Sequence, residues 1–180
     1  HRHAAPPAAD GVPCTVVYRP FSSWAANGEW QGTLPEGEEA LCVASGASFA
    51  AVATNRQLLR IFTPSGVQHF VFRLEGPVVT LAAHEHKLAV VVHTGAPNHL
   101  TKSQCLGLTV YDMYTYGVAA QGPCLLTPGS TLAWLGYNED GLPALMDSAG
   151  VVAVRTPDFG GRWTPVFDSA VERKAGGEVF

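Results

Sequence analysis

His84 and His86 flank Glu85 in the run AAHEHKL, and a spacing of two at a strand end would turn both imidazoles to one side, as a bound metal requires. The same run also reads as a tight turn between two apolar strands with solvated polar side chains at its tip, and His93 and His99 do not improve the ligand set. Glu36, Glu38 and Glu39, spaced around Gly37, could attract a hard cation, but three carboxylates ahead of an apolar strand read as a solvated loop. No metal site is expected. A hydrolase would need a nucleophile, a base and an orienting acid; Ser48 lies in SGASF at a turn-to-strand transition, without the G-x-S-x-G elbow or a following helix. Cys42 and Cys105 sit in apolar runs that should raise the thiol pKa and suppress reactivity. Phosphate-binding loops of the G-x-x-x-x-G-K-[ST] and G-x-G-x-x-G types are absent. No catalytic or cofactor-binding residue and no cofactor is expected, and the chain reads as a non-enzyme.

The elements that would position these residues are strands. Residues 41–167 repeat one plan three times, with first strands starting near Leu41, Val79 and Leu132. Those starts are 38 and 53 residues apart, bracketing the period of propeller blades once a loop insertion at 95–104 is allowed for. The predicted blades lie near 39–74, 77–126 and 131–168, the second with a weaker fourth strand near CLLT. Ser45-Gly46, Pro64-Ser65-Gly66, Asn138-Glu139-Asp140-Gly141 and Ser148-Ala149-Gly150 supply turn chemistry between strands. Runs such as LAVVVH and FAAVAT are apolar on both faces, as expected of strands covered by neighbours on each side. The fold class is therefore all-β, a partial β-propeller of about three four-stranded blades. Residues 1–12 read as a flexible linker, and 13–19 as a strand completing a preceding element. Asn27-Gly28 reads as a hairpin-type turn between Trp24 and Trp30, each expected to anchor a loop against the propeller.

A hydrophobic content of 47% in 180 residues supports a substantial core. The net charge of -4, with no run of Lys or Arg, gives little reason to bind a phosphate backbone, so direct nucleic acid binding is not expected. No apolar stretch approaches the roughly 20 residues needed to cross a bilayer, and no membrane partner is expected. Cys14, Cys42, Cys105 and Cys124 include no C-x-x-C pair and read as buried free thiols, pointing to cytosol or nucleus. Three blades cannot close a ring; with no initiator Met and an ending on GGEVF, the chain is expected to be a piece of a longer protein. In VQHFVFRL, Phe70 and Phe72 share a face with Gln68 and Leu74 near a blade's outer edge, where they either fill the gap to the next blade or form an intersubunit contact.

The order GEWQGTLPEGEEALCVASG, LLRIFTPSGVQHFVFRLEGPVV, LAWLGYNEDGLPALMDSAGVV and RWTPVFD resembles the second propeller of the replisome hub family known as acidic nucleoplasmic DNA-binding, chromosome transmission fidelity or minichromosome loss proteins. The resemblance runs from about Tyr18 to Asp168. It implies a six-bladed propeller that forms a homotrimer and, with a following helical bundle, tethers the replicative helicase complex to DNA polymerase alpha. It implies a non-catalytic scaffold in the nucleus, serving DNA replication and sister chromatid cohesion. An N-terminal WD-repeat propeller, the client-capturing helical bundle and the HMG box of animal members fall outside the resembling segment. From the residues alone, the alternative is a generic propeller binding a peptide or small ligand through its loops, with a propeller hydrolase third.

Overall fold

The computed structural model describes residues 13–20, 28–169 and 171, so residues 1–12, Trp24 and Asn27 lie outside the described residues. The first sheet comprises β3 (Ala40–Ser45), β4 (Ala50–Thr54), β5 (Leu58–Phe62) and β6 (Gln68–Arg73). It follows a two-stranded hairpin of β1 (Thr15–Tyr18) and β2 (Trp30–Thr33). The second sheet comprises β7 (Val78–His84), β8 (Lys87–His93), β9 (Leu106–Asp112) and β10 (Gly117–Cys124). The third comprises β11 (Leu132–Tyr137), β12 (Pro143–Asp147), β13 (Val151–Thr156) and β14 (Arg162–Asp168). Each sheet is an antiparallel meander in chain order, and β7 packs between β3 and β11, so the first strands converge. A bulge recurs one residue into each first strand, at Leu41, Val79 and Ala133, marking the three sheets as copies of one unit.

β8 shows why such strands are apolar throughout. Leu88, Val90 and Val92 pack with Ala51, Ala53, Leu59 and Ile61 of the first sheet. Ala89 and Val91 pack with Leu135, Leu145 and Ala153 of the third. Burial on alternate sides removes the polar-out positions of a lone sheet. The free face of the first sheet is covered by the hairpin only in part, where Val16, Tyr18 and Trp30 meet Ala50, Val52 and Phe62. Tyr18 stacks on Trp30 at 5.6 Å. On the third sheet, the face turned from the second leaves Trp134, Met146 and Phe167 exposed.

Two strand readings are corrected. Trp30–Thr33 is a strand paired with β1, whereas the sequence reading placed Trp30 beside a turn in a loop. The fourth strand of the second sheet ends at Cys124 instead of beginning there. Its composition, GVAAQGPC, hides it: Gly, Ala, Gln and Pro have low strand propensity, but an outer strand needs only its ladder to β9, from Gly117↔Asp112 to Cys124↔Leu106.

Gly76 lies under the end of β8, where a Cβ would stand 2.0 Å from the His93 carbonyl oxygen. The His93 amide donates to the Pro77 carbonyl at 2.9 Å, pinning the same crossing. Because the obstacle is backbone, Gly76→Ala must part the β6–β7 connection from β8. Overpacking of this kind costs about 2 kcal/mol, read as a lowered urea midpoint at unchanged m-value.

Candidate protein-interaction surface

The acidic loop is not wholly solvated. Glu38 is buried, and the Arg60 guanidinium grips it with Nε to Oε1 at 2.8 Å and Nη2 to Oε2 at 2.7 Å. Arg60 reaches it from β5 because Leu59 and Ile61 face the second sheet, leaving the residue between them toward the hairpin side. The Arg60 hydrogen bonds hold the Glu38 carboxyl below its usual range, against burial that opposes ionisation. Within the cluster Glu38 is thus half of a structural ion pair, while Glu36 is exposed and Glu39 half-buried.

His84 and His86 are drawn apart. The His84 ring stacks on Tyr137 of the third sheet at 5.4 Å, while His86 Nε2 stands 3.8 Å from Asp112 Oδ2. Among the described residues no group of three or more His, Cys, Asp or Glu could hold a metal ion. His93 ends β8 and His99 sits in the exposed loop after it, and Ser48 is exposed in the β3–β4 turn. All four cysteines are thiols, not disulfides; Cys124 is buried, its thiol pushed up to about 12 by desolvation despite nearby Arg155, and the other three are half-buried.

Phe70 and Phe72 lie on the side of β6 facing the second sheet, opposite Ile61 and Leu59. Gln68 does not share that face. A bulge separates the Phe62↔Gln68 and Ile61↔Phe70 pairs, and the Gln68 side chain instead accepts from Arg60 Nη1 at 2.6 Å. Phe72 is half-buried edge-on to Tyr111 at 5.3 Å, filling the gap between sheets. Phe70 is 41% exposed and forms an aromatic cluster with His69 (4.3 Å) and Tyr116 (5.0 Å). Tyr116 comes from the β9–β10 turn, where it is left-handed at φ 57. Asp112 shapes that turn: its Oδ1 accepts from the Tyr114 and Thr115 amides, and these bonds hold its carboxyl below the usual range. Tyr114 and Tyr116 consequently stand out from the rim, both exposed. Sequence reasoning singled out Phe70 but not its ring partner Tyr116, 46 residues away; the Tyr-Thr-Tyr-Gly run was the available signal.

A second open region adjoins the hairpin. A cleft of about 690 Å³ separates β1 from β3 and β4 and is lined by Val17, Leu41 and Val43, all more than half exposed.

Stacked four-stranded antiparallel meanders with converging first strands define an all-β protein of the β-propeller class, among the described residues an arc of three such sheets that does not close into a ring. Two solved propellers superpose on it: HIRA(644-1017), with TM-score 0.57, 19% identity and coverage of 79% of this chain and 42% of that one, and a chain of the Mitotic Checkpoint Complex, with TM-score 0.53, 16% identity and coverage of 77% and 40%. Residues 3–179 match the family model described as Minichromosome loss protein, Mcl1, middle region, and the chain belongs to that family. It is 40% identical over 161 residues to Protein ENHANCER OF LHP1 1 of Arabidopsis thaliana, covering 88% of this chain and 16% of that protein. It is 38% identical over 148 residues to WD repeat and HMG-box DNA-binding protein 1 of Homo sapiens, covering 81% of this chain and 13% of that protein. The chain therefore spans about a sixth or less of these relatives.

Proposed function

We propose that this segment is a non-catalytic scaffold within a longer nuclear protein that serves DNA replication, building a self-associated core, a homotrimer of six-bladed propellers. In this reading the longer protein links the replicative helicase complex to DNA polymerase alpha and contributes to sister chromatid cohesion. The observation carrying the reading is the 38% identity, across 81% of the chain, to a relative named as a WD-repeat and HMG-box DNA-binding protein. The uncovered apolar residues at both ends of the arc, Leu41 and Val43 at one and Trp134 and Phe167 at the other, fit a segment completed by further blades. The exposed Phe70 cluster is the proposed contact between copies, with Phe72 supporting it from beneath.

Light scattering on the full-length protein over a range of concentrations should give three times the chain mass. Joint replacement of Phe70 and Tyr116 by Ala should release monomers at micromolar concentration with the fold intact. An unchanged trimer would remove this contact from the reading. A stable wild-type monomer would overturn self-association and favour a propeller that binds ligands through its loops. Mixing the purified protein with helicase complex and polymerase alpha should give one co-migrating species, and separate peaks would refute the linkage.

A further inference from the structure

At the junction of the second and third sheets lies a cleft of about 340 Å³ whose walls include Val110, Ala120, Leu142 and Pro143. Two cations, Lys87 and Arg155, line it. Lys87 is accounted for: its Nζ donates to the Gly141 carbonyl at 3.1 Å, and Asp112 stands opposite it in the β8–β9 register. Arg155 is different. It projects from β13, is only 7% exposed, and donates from Nη2 to the Gln121 carbonyl at 2.7 Å. Among the described residues its guanidinium has no carboxylate partner and makes no second hydrogen bond.

A latch between sheets needs one donor, whereas a guanidinium carries five in a planar fork. A charge buried nine-tenths is ordinarily paired, because desolvation outweighs a single bond to a neutral carbonyl. The fork lies close against glycine backbone that leaves room for it: a Cβ at Gly161 would come within 2.7 Å of Arg155 Nη2, and one at Gly122 within 3.1 Å. We propose that Arg155, with Lys87 lining the same cleft, forms an oxyanion site sized for one carboxylate or phosphate group. The fork suits two-point binding of either group. Leu142, Pro143 and Val110 admit the apolar part of a small organic acid or acidic side chain. The net charge of -4 and the absence of a basic run disfavour a polyanion.

Hydrogen exchange on the full-length protein, read by mass spectrometry during titration with sodium phosphate or sodium glutarate, tests the site against sodium chloride of equal ionic strength. The expected result is saturable slowing in peptides covering 117–124 and 151–161, with 40–73 unaffected. Slowing by phosphate alone assigns a phosphoryl ligand, slowing by glutarate alone a carboxylate, and either supports the site. Arg155→Gln should raise the half-saturating concentration about tenfold or more, and Lys87→Gln severalfold. Slowing that merely follows ionic strength, or that persists unchanged in Arg155→Gln with 40–73 still protected, would overturn the proposal. Should Arg155→Gln loosen the third sheet, Lys87→Gln decides, and an unchanged half-saturation in that variant defeats it.

Discussion

Replacing Glu38 with Gln should lower the stability of the folded chain by about 3 kcal/mol, or ~6–12 °C in melting temperature. The substitution keeps the shape of the side chain but leaves Arg60, only 12% exposed, charged against a neutral amide. Breaking a buried pair from one side costs more than removing it whole, since the surviving charge stays desolvated. The double replacement Glu38→Met with Arg60→Leu should therefore recover most of the loss. Urea denaturation of the single and double variants measures both effects, and a double variant less stable than Glu38→Gln would contradict this account.

The same pair sets an acid dependence. The native Glu38 carboxyl is held below its usual range, so the unfolded chain binds more protons at low pH. Its contribution is complete above the unfolded carboxyl value of about 4.3 and drains away as pH falls through the depressed native value. Wild-type stability should accordingly fall more steeply than that of Glu38→Gln as pH drops from about 7 to 3. Parallel curves would show that the pair contributes nothing.

Where a residue's role depends on its own strand, it was legible. The doubly apolar LAVVV of β8 announces burial on both faces, and the converging strands at Ala40, Val78 and Leu132 follow from the spacing of apolar runs. Roles set by a partner far along the chain were not. Glu38 looks solvated until Arg60, 22 residues on, is folded against it. His84 looks like a turn-tip histidine until Tyr137 arrives from another sheet. Period-two reasoning misplaced Gln68 because a bulge adds His69 to β6, and no local composition marks that insertion. The outer strand β10 escaped for the opposite reason: its backbone pairing demands little of its side chains.

Asp147→Ala should cost about 3–4 kcal/mol, because one buried carboxylate organises two connections of the third sheet. Asp147 is 2% exposed; its Oδ1 accepts from the Ala149 and Val151 amides at 3.0 and 3.1 Å, and its Oδ2 from the Thr127 amide at 2.9 Å. Burial opposes its ionisation, but the bonds from Thr127, Val151 and Ser130 prevail and hold its carboxyl below the usual range. Alanine strands three amides at once. Asparagine can still accept at Oδ1 from Ala149 and Val151, yet sets an amide group against the Thr127 N–H, so about half the loss should remain. Hydrogen exchange locates the damage: Asp147→Ala should speed exchange across 132–156, while Glu38→Gln acts first on 40–73. Because the second sheet is packed into both neighbours, loss of either flanking sheet uncovers half of the β8 core. Exchange in 87–93 should therefore rise in both variants. Unchanged protection of β8 in either would show that the second sheet holds together without that neighbour.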